Sequence, residues 1–174
     1  MLRSLVFSCA LLACGAAYAD TSDFTPGPVI AEYGPVADVP GAPAIAPGTT
    51  FKVLFSVSEA AEAGALNRRL ESAARFLNMH VRAGVPRENI HLAIVVHGGA
   101  ARDLTSTPRD GEANANAGLI AALIANGVEV WLCGQTAAAM DIDREDLLPG
   151  VRVALSAMTA NALLQQNGYT LNPN

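Results

Sequence analysis

Several residue types are scarce in this sequence, and each scarcity excludes something. Of 174 residues only three are cysteine, two of them within the first 14, so no even set of late cysteines offers a disulfide framework. Charged residues make up 16%, and the single lysine, Lys52, joins ten arginines scattered along the chain. Such thin basic content excludes a nucleic-acid footprint and a polybasic membrane patch. No G-x-G-x-x-G follows the first strand-like run and there is no P-loop, so neither a nucleotide nor any other cofactor is expected. His80, His91 and His97 lack ligand spacing. The last two bracket one strand-like run and would stand roughly 20 Å apart at about 3.3 Å per residue, so no metal site is expected.

What is abundant is apolar residues, 51% of a chain sized for one domain. Arg3, the apolar run Leu5–Ala13 and the small-x-small triplet Ala17, Tyr18, Ala19 have the layout of a secretory signal peptide, too short to span a bilayer as a helix. The expected division is a leader over 1–19, a mature start at Asp20 and a periplasmic location. Loss of Arg3 changes the formal charge from −5 to −6. A competing cut is the run "LLAC", Leu11–Cys14, which loosely resembles a lipoprotein signal that would anchor the chain through Cys14. In the first case the exported domain keeps one thiol, Cys133, and an odd cysteine in an oxidising compartment is paired between molecules, reactive or buried.

Residues 20–50 hold six of the ten prolines. Repeated proline removes backbone donors and fixes φ, which forbids a helix or a central strand, so this segment reads as an extended arm. Phe24, Val29, Ile30, Tyr33, Val36 and Val39 are apolar enough to pack it along a surface; the alternative is a disordered linker.

From residue 51 onward two periodicities alternate. "FKVLFSV" suits a strand. Leu66, Leu70, Ala73, Leu77 and Val81 form an amphipathic helix stripe that stops at Gly84 and Pro86. "IHLAIVV" is apolar throughout, as a strand buried on both faces would be. A helix then runs through Leu119, Ile120, Leu123 and Ile124 to Asn126 and Gly127, and "VEVWLC" is the third strand. A short turn or helix of small residues, an acidic turn with Asp143 as cap, a strand in "VRVALS", a helix from about Ala157 to Gln166 and a tail "YTLNPN" complete the chain. Alternation of strand and helix predicts an α/β fold, a three-layer sandwich around a mainly parallel sheet of four to five strands.

Open parallel sheets bind ligands beyond the carboxyl ends of their strands. That rule selects Ser56–Ser58, the loop His97, Gly98 and Gly99, and the run Cys133, Gly134, Gln135 and Thr136. In the flavodoxin strand order the first strand would lie between the second and third, with His97 and Cys133 flanking it. Cys133 is a candidate nucleophile: amides at a helix start favour the thiolate, Gly134 would let a ligand approach the backbone, and Gln135 and Thr136 supply polar partners. The alternative is a buried thiol acting as a small hydrophobe. His97 either holds a proton beside that thiol or organises its own loop. Ser58 reads as the cap of the first helix, and "RDLTSTPRDGE" as a polar loop in which Arg102 and Arg109 could meet an anion.

"IVVHGGA", "GVEVWLCGQTAAAM", "REDLLPGVRVALSA" and "ALLQQNGYTLNP", in that order, resemble the DsrE/DsrF-like proteins and specifically their secreted single-domain branch, whose arm "GPVIAEYGPVADVP" is similar too. The resemblance covers Pro28–Pro173. It implies a flavodoxin-like (DsrE-like) fold over 51–174, a trimer or hexamer, and sulfur trafficking through a persulfide on Cys133 with His97 in the same pocket. Partners would be a sulfur donor or acceptor protein or a small sulfur compound. The chain departs from well-described carriers of this type in its leader and in having no second mature cysteine. A non-catalytic ligand-binding or assembly module with an inert Cys133 is the other functional expectation.

Overall fold

A computed structural model describes residues 21–106 and 113–173. The expected leader over 1–19, with Cys9 and Cys14, and Arg109 of the polar loop lie outside the described residues.

Five strands form one all-parallel sheet in the order β4-β3-β2-β1-β5. They are β1 (Phe51–Val57), β2 (Ile90–Val96), β3 (Glu129–Cys133), β4 (Arg152–Ala154) and β5 (Thr170–Asn172). The helices are α1 (Arg68–Arg82), α2 (Ala117–Ala125), α3 (Gly134–Ala139) and α4 (Ala157–Gln166). The fold class is therefore the expected three-layer α/β sandwich. The strand order corrects the sequence reading, since β2, not β1, sits beside β3. Crossovers between neighbouring parallel strands take one hand, and α1 and α2 pack into the same core, so β1, β2 and β3 step in one direction across the sheet. Only α4, on the other face, carries the chain back to pair β5 with β1. The tail "YTLNPN" thus contains an edge strand that periodicity could not reveal in three residues.

The two faces differ. Phe55, Val57, Leu92, Ile94, Val96 and Leu132 bury against α1 and α2 in the main core, with Leu70, Ala73, Leu77, Leu119, Ile120 and Leu123 from the helices. Leu54, Ala93, Val95 and Cys133 point the other way, into a smaller cluster with Ala157, Ala160 and Leu164 of α4. All of β2 but His91 is buried, as its unbroken apolar run requires.

Helix α1 is capped by Asn67, whose side-chain oxygen accepts from the Arg69 and Leu70 amides. Ser58 is not the cap. It directly follows β1 instead, and its carbonyl accepts from Ala100, holding the loop that follows β2.

The arm lies across α1. Its own backbone pairing is a single antiparallel bridge, Thr25 with Val36, and side chains of α1 supply the further partners its backbone needs. Glu71 accepts from the Gly34 amide, and Arg75 donates to the Pro35 carbonyl. Arg82 donates to the carbonyls of Val36 at 2.8 Å and Pro26 at 2.6 Å. Asn78, fully buried, accepts from the amides of Val29 (3.1 Å) and Ile30 (2.9 Å) and donates to the carbonyls of Ile30, Tyr33 and Gly34. Residues 71, 75, 78 and 82 recur at helical spacing on one face. Gly34, at φ +63°, passes so close to α1 that a Cβ would meet the Arg75 backbone. Ile30 and Val36 reach the buried state at 2% exposure each.

Asn78→Ala strands the buried Ile30 amide, the part-buried Val29 amide and several carbonyls at once, so a loss of about 2–4 kcal/mol is expected by urea denaturation. Limited proteolysis should then cut the arm, within residues 21–36, well before the sheet. An arm as resistant as the wild type's would show that Asn78 does not hold it.

Candidate functional site

Parallel strands align their carboxyl ends on one rim. Val96 pairs with Leu132 and Cys133 with Ala154, so the next residue after β2, His97, comes level with Cys133. The two expected residues therefore meet across adjacent strands rather than across β1. They line one open pocket of about 290 Å³ together with Gln135, Thr136, Ser156 and Asn161, with Ala157 and Met158 completing the wall.

Two helices begin at this rim. Cys133 is the cap residue of α3, and Ser156 caps α4, its Oγ accepting from the Thr159 amide at 3.0 Å. Cys133 is 5% exposed, so the sulfur is reached only through the pocket. Burial, the largest single influence, pushes its pKa up, but it is outweighed by hydrogen bonds from the Thr136 hydroxyl and from the amides of Thr136, Ala157 and Gln135. The net result is a thiol below its ordinary pKa, held by donors from both helix starts. Thr136 is kept in place from the other side, since the Gly98 amide donates to its Oγ1 at 3.2 Å. That bond leaves the hydroxyl proton free to point at sulfur. Gly98 sits at φ +54°, where a Cβ would come within 3.2 Å of the Ser58 carbonyl, so glycine is needed to bring this amide to Thr136.

A Cβ at Gly134 would lie 2.5 Å from the Ala154 carbonyl and 3.2 Å from that of Leu155, so the residue lets α3 start hard against β4, and it is not among the residues lining the pocket. Gln135 is exposed and donates weakly to the Leu155 carbonyl at 3.4 Å. The hydrogen bond that the His97 ring makes goes to Ser56 Oγ, 3.3 Å from Nε2, rather than to Cys133. Ser56 in turn accepts from Asn161 Nδ2 at 3.4 Å, and Asn161 Oδ1 is buried with no partner among the described residues. Ser156, Ala157 and Asn161 were not singled out in the sequence. The signal that could have found them is the same rim rule applied to "VRVALS", where a serine follows the strand and caps the next helix.

The other singled-out residues lie elsewhere. Arg102 donates to the Met140 carbonyl, and its neighbour Asp103 is buried, accepting from Asn67 at 2.7 Å. Asp143 caps the short turn Arg144–Asp146 through a reciprocal capping box. His91 is exposed, and His80 stacks on Phe76 with ring centres 3.9 Å apart.

Fold and site together define a class: α/β proteins that present a cysteine at the carboxyl rim of a five-stranded parallel sheet. Comparison with known proteins narrows it. The model of the DsrE/DsrF-like family matches residues 51–173, and the chain belongs to that family. Solved structures that share the fold include two of low sequence identity. One is a protein of unknown function, MTH1491 from Methanobacterium thermoautotrophicum, 22% identical with a TM-score of 0.50. The other is the ychN protein from E. coli, 16% identical with a TM-score of 0.52. Each alignment covers 70% of this chain and 97% of the other. No curated protein matches the sequence.

Thr136→Val removes the hydroxyl donor, and the midpoint of the pH dependence of Cys133 alkylation should move up toward that of an ordinary thiol. A midpoint unchanged by the substitution would mean that Thr136 does not support the thiolate.

Proposed function

We propose that this is an exported sulfur carrier in which Cys133 takes up, stores and passes on a sulfane sulfur. The observation that carries the reading is the thiol with a lowered pKa at the meeting point of two helix starts, inside a pocket lined by His97, Thr136 and Asn161. Thiolate is the nucleophilic form, and a thiol of low pKa is also the better leaving group, so one feature serves both uptake and release.

Uptake balances without an oxidant. The Cys133 thiolate attacks the outer sulfur of a donor persulfide, the donor's S–S bond breaks, its thiolate leaves, and the transferred sulfur stays on Cys133. With thiosulfate as donor the leaving group is sulfite. Release reverses the step, as an acceptor thiolate attacks the outer sulfur and Cys133 departs. With the leader removed there is no second cysteine in the chain, so the persulfide has no intramolecular thiol to resolve it and must be handed to a partner molecule. A leader over residues 1–19, a periplasmic location and assembly into a trimer or hexamer belong to the same reading; lipid anchoring through Cys14 is its variant.

Within the pocket, His97, hydrogen-bonded to Ser56, and Gln135 and Thr136 of α3 supply polar groups for an incoming anion. The competing reading, a ligand-binding or assembly module in which Cys133 only fills space, draws on the residue's 5% exposure and its place in an apolar cluster.

Intact-mass measurement after treatment with thiosulfate or polysulfide decides between them. A gain of about 32 Da per added sulfur is expected on the wild type, removed by dithiothreitol and absent from Cys133→Ser. A native protein whose thiol takes up nothing from either donor favours the module.

A further inference from the structure

A neutral histidine ring holds its one proton on either nitrogen, and the hydrogen bond made by one nitrogen decides which. His97 has such a bond on one side. Its Nε2 lies 3.3 Å from Ser56 Oγ, and Asn161 Nδ2 lies 3.4 Å from the same oxygen. The chain thus runs from α4 through β1 to the residue after β2.

Its direction follows from its far end. One end of the Asn161 amide meets Ser56, and the other is buried with no partner among the described residues. A bare acceptor is tolerated in such a place more readily than a bare donor, so the amide oxygen takes it and the nitrogen faces Ser56. Ser56 Oγ therefore accepts from Asn161. A hydroxyl has a single proton, and among the described residues the only acceptor left for it is His97 Nε2. With Nε2 accepting, the proton of the neutral ring sits on Nδ1.

That placement bears on the pocket. Cys133 already takes the donors of the two helix starts, and no lysine or arginine is among the residues that line the cavity. A second sulfur that enters there, and bears negative charge once its bond to the transferred atom breaks, needs a donor of its own. Because Nε2 is engaged, the His97 nitrogen left to meet a ligand is Nδ1, and in this tautomer Nδ1 carries a hydrogen.

We propose that Ser56 and Asn161 are positioning residues that fix the proton of neutral His97 on Nδ1, so that the ring serves sulfur transfer as a hydrogen-bond donor and not as a base. The placement of the proton stands on the hydrogen-bond chain alone, while the use made of it rests on the proposed sulfur carriage. In uptake the Cys133 thiolate attacks the outer sulfur of the donor, the S–S bond breaks, and its electron pair leaves on the inner sulfur. The Nδ1 hydrogen bonds to that departing group and stays on the ring. In release the acceptor thiolate enters against the same hydrogen.

Long-range proton–nitrogen correlation spectra of the purified protein test the placement, with the His97 signals assigned by their absence from His97→Gln. At a pH where the ring signals have stopped moving, Nδ1 should show the shift of a protonated nitrogen and Nε2 that of a bare one. Asn161→Asp puts an acceptor where the amide donated, so Ser56 turns its proton toward the carboxylate and a proton should appear on Nε2. Ser56→Ala breaks the chain. With the thiol fully ionised, its sulfur uptake from polysulfide should fall roughly tenfold at unchanged far-UV circular dichroism, and Ser56→Thr should restore it. A wild-type ring protonated on Nε2, a ring indifferent to Asn161→Asp, or uptake that Ser56→Ala leaves unchanged would overturn the proposal. A wild type that takes up no sulfur would strike down the carrier and with it the part of His97 in transfer, while the spectra would still decide where the proton sits.

Discussion

Everything at the site follows from one constraint, that five parallel strands end on the same rim. A helix after such a strand must start at the rim, so its free amides collect there. Cys133 occupies the point where this effect is doubled, as the cap of α3 and within reach of the first amide of α4. Burial alone would make the thiol a poorer acid. Four donors from two helix starts reverse that, and two of the four belong to Thr136.

The geometry depends on close approach, and glycine provides it twice. Gly134 lets α3 begin in contact with the carbonyls that end β4, and Gly98 turns its amide toward the Thr136 hydroxyl. Both are packing and orienting residues. The polar chain from Asn161 through Ser56 to His97 links α4, β1 and the end of β2, and His97 and Asn161 line the same pocket as the sulfur. The arm is an independent construction. Glu71, Arg75, Asn78 and Arg82 satisfy a proline-rich backbone whose own pairing is one bridge, Thr25 with Val36, which is how an extended segment can bury Ile30 and Val36.

Much of this was legible in the sequence. The unbroken run Ile90–Val96 could only be an interior strand, the stripe through Leu70 and Leu77 could only be a helix facing a core, and the rim rule pointed at His97 and Cys133. Strand order was not legible, because it is set by which face each crossover takes, and no local pattern records that choice. The three residues of β5 are too few to show a period. Ser58 and Asn67 are both good caps in isolation, and only tertiary hydrogen bonds, from Ala61 and Asn67 to Asp103 and from Asn67 to Asn116, select Asn67. Gly134 shows the limit of reading a residue by type: the freedom a glycine offers can serve a neighbouring strand as well as a ligand.

The central claim is that the rim holds Cys133 as a thiolate more readily than water would. Ultraviolet titration of thiolate absorbance, taken as the difference between wild type and Cys133→Ser, reads that directly. The account predicts an ionisation midpoint below that of a free cysteine; a midpoint at or above it would contradict the account.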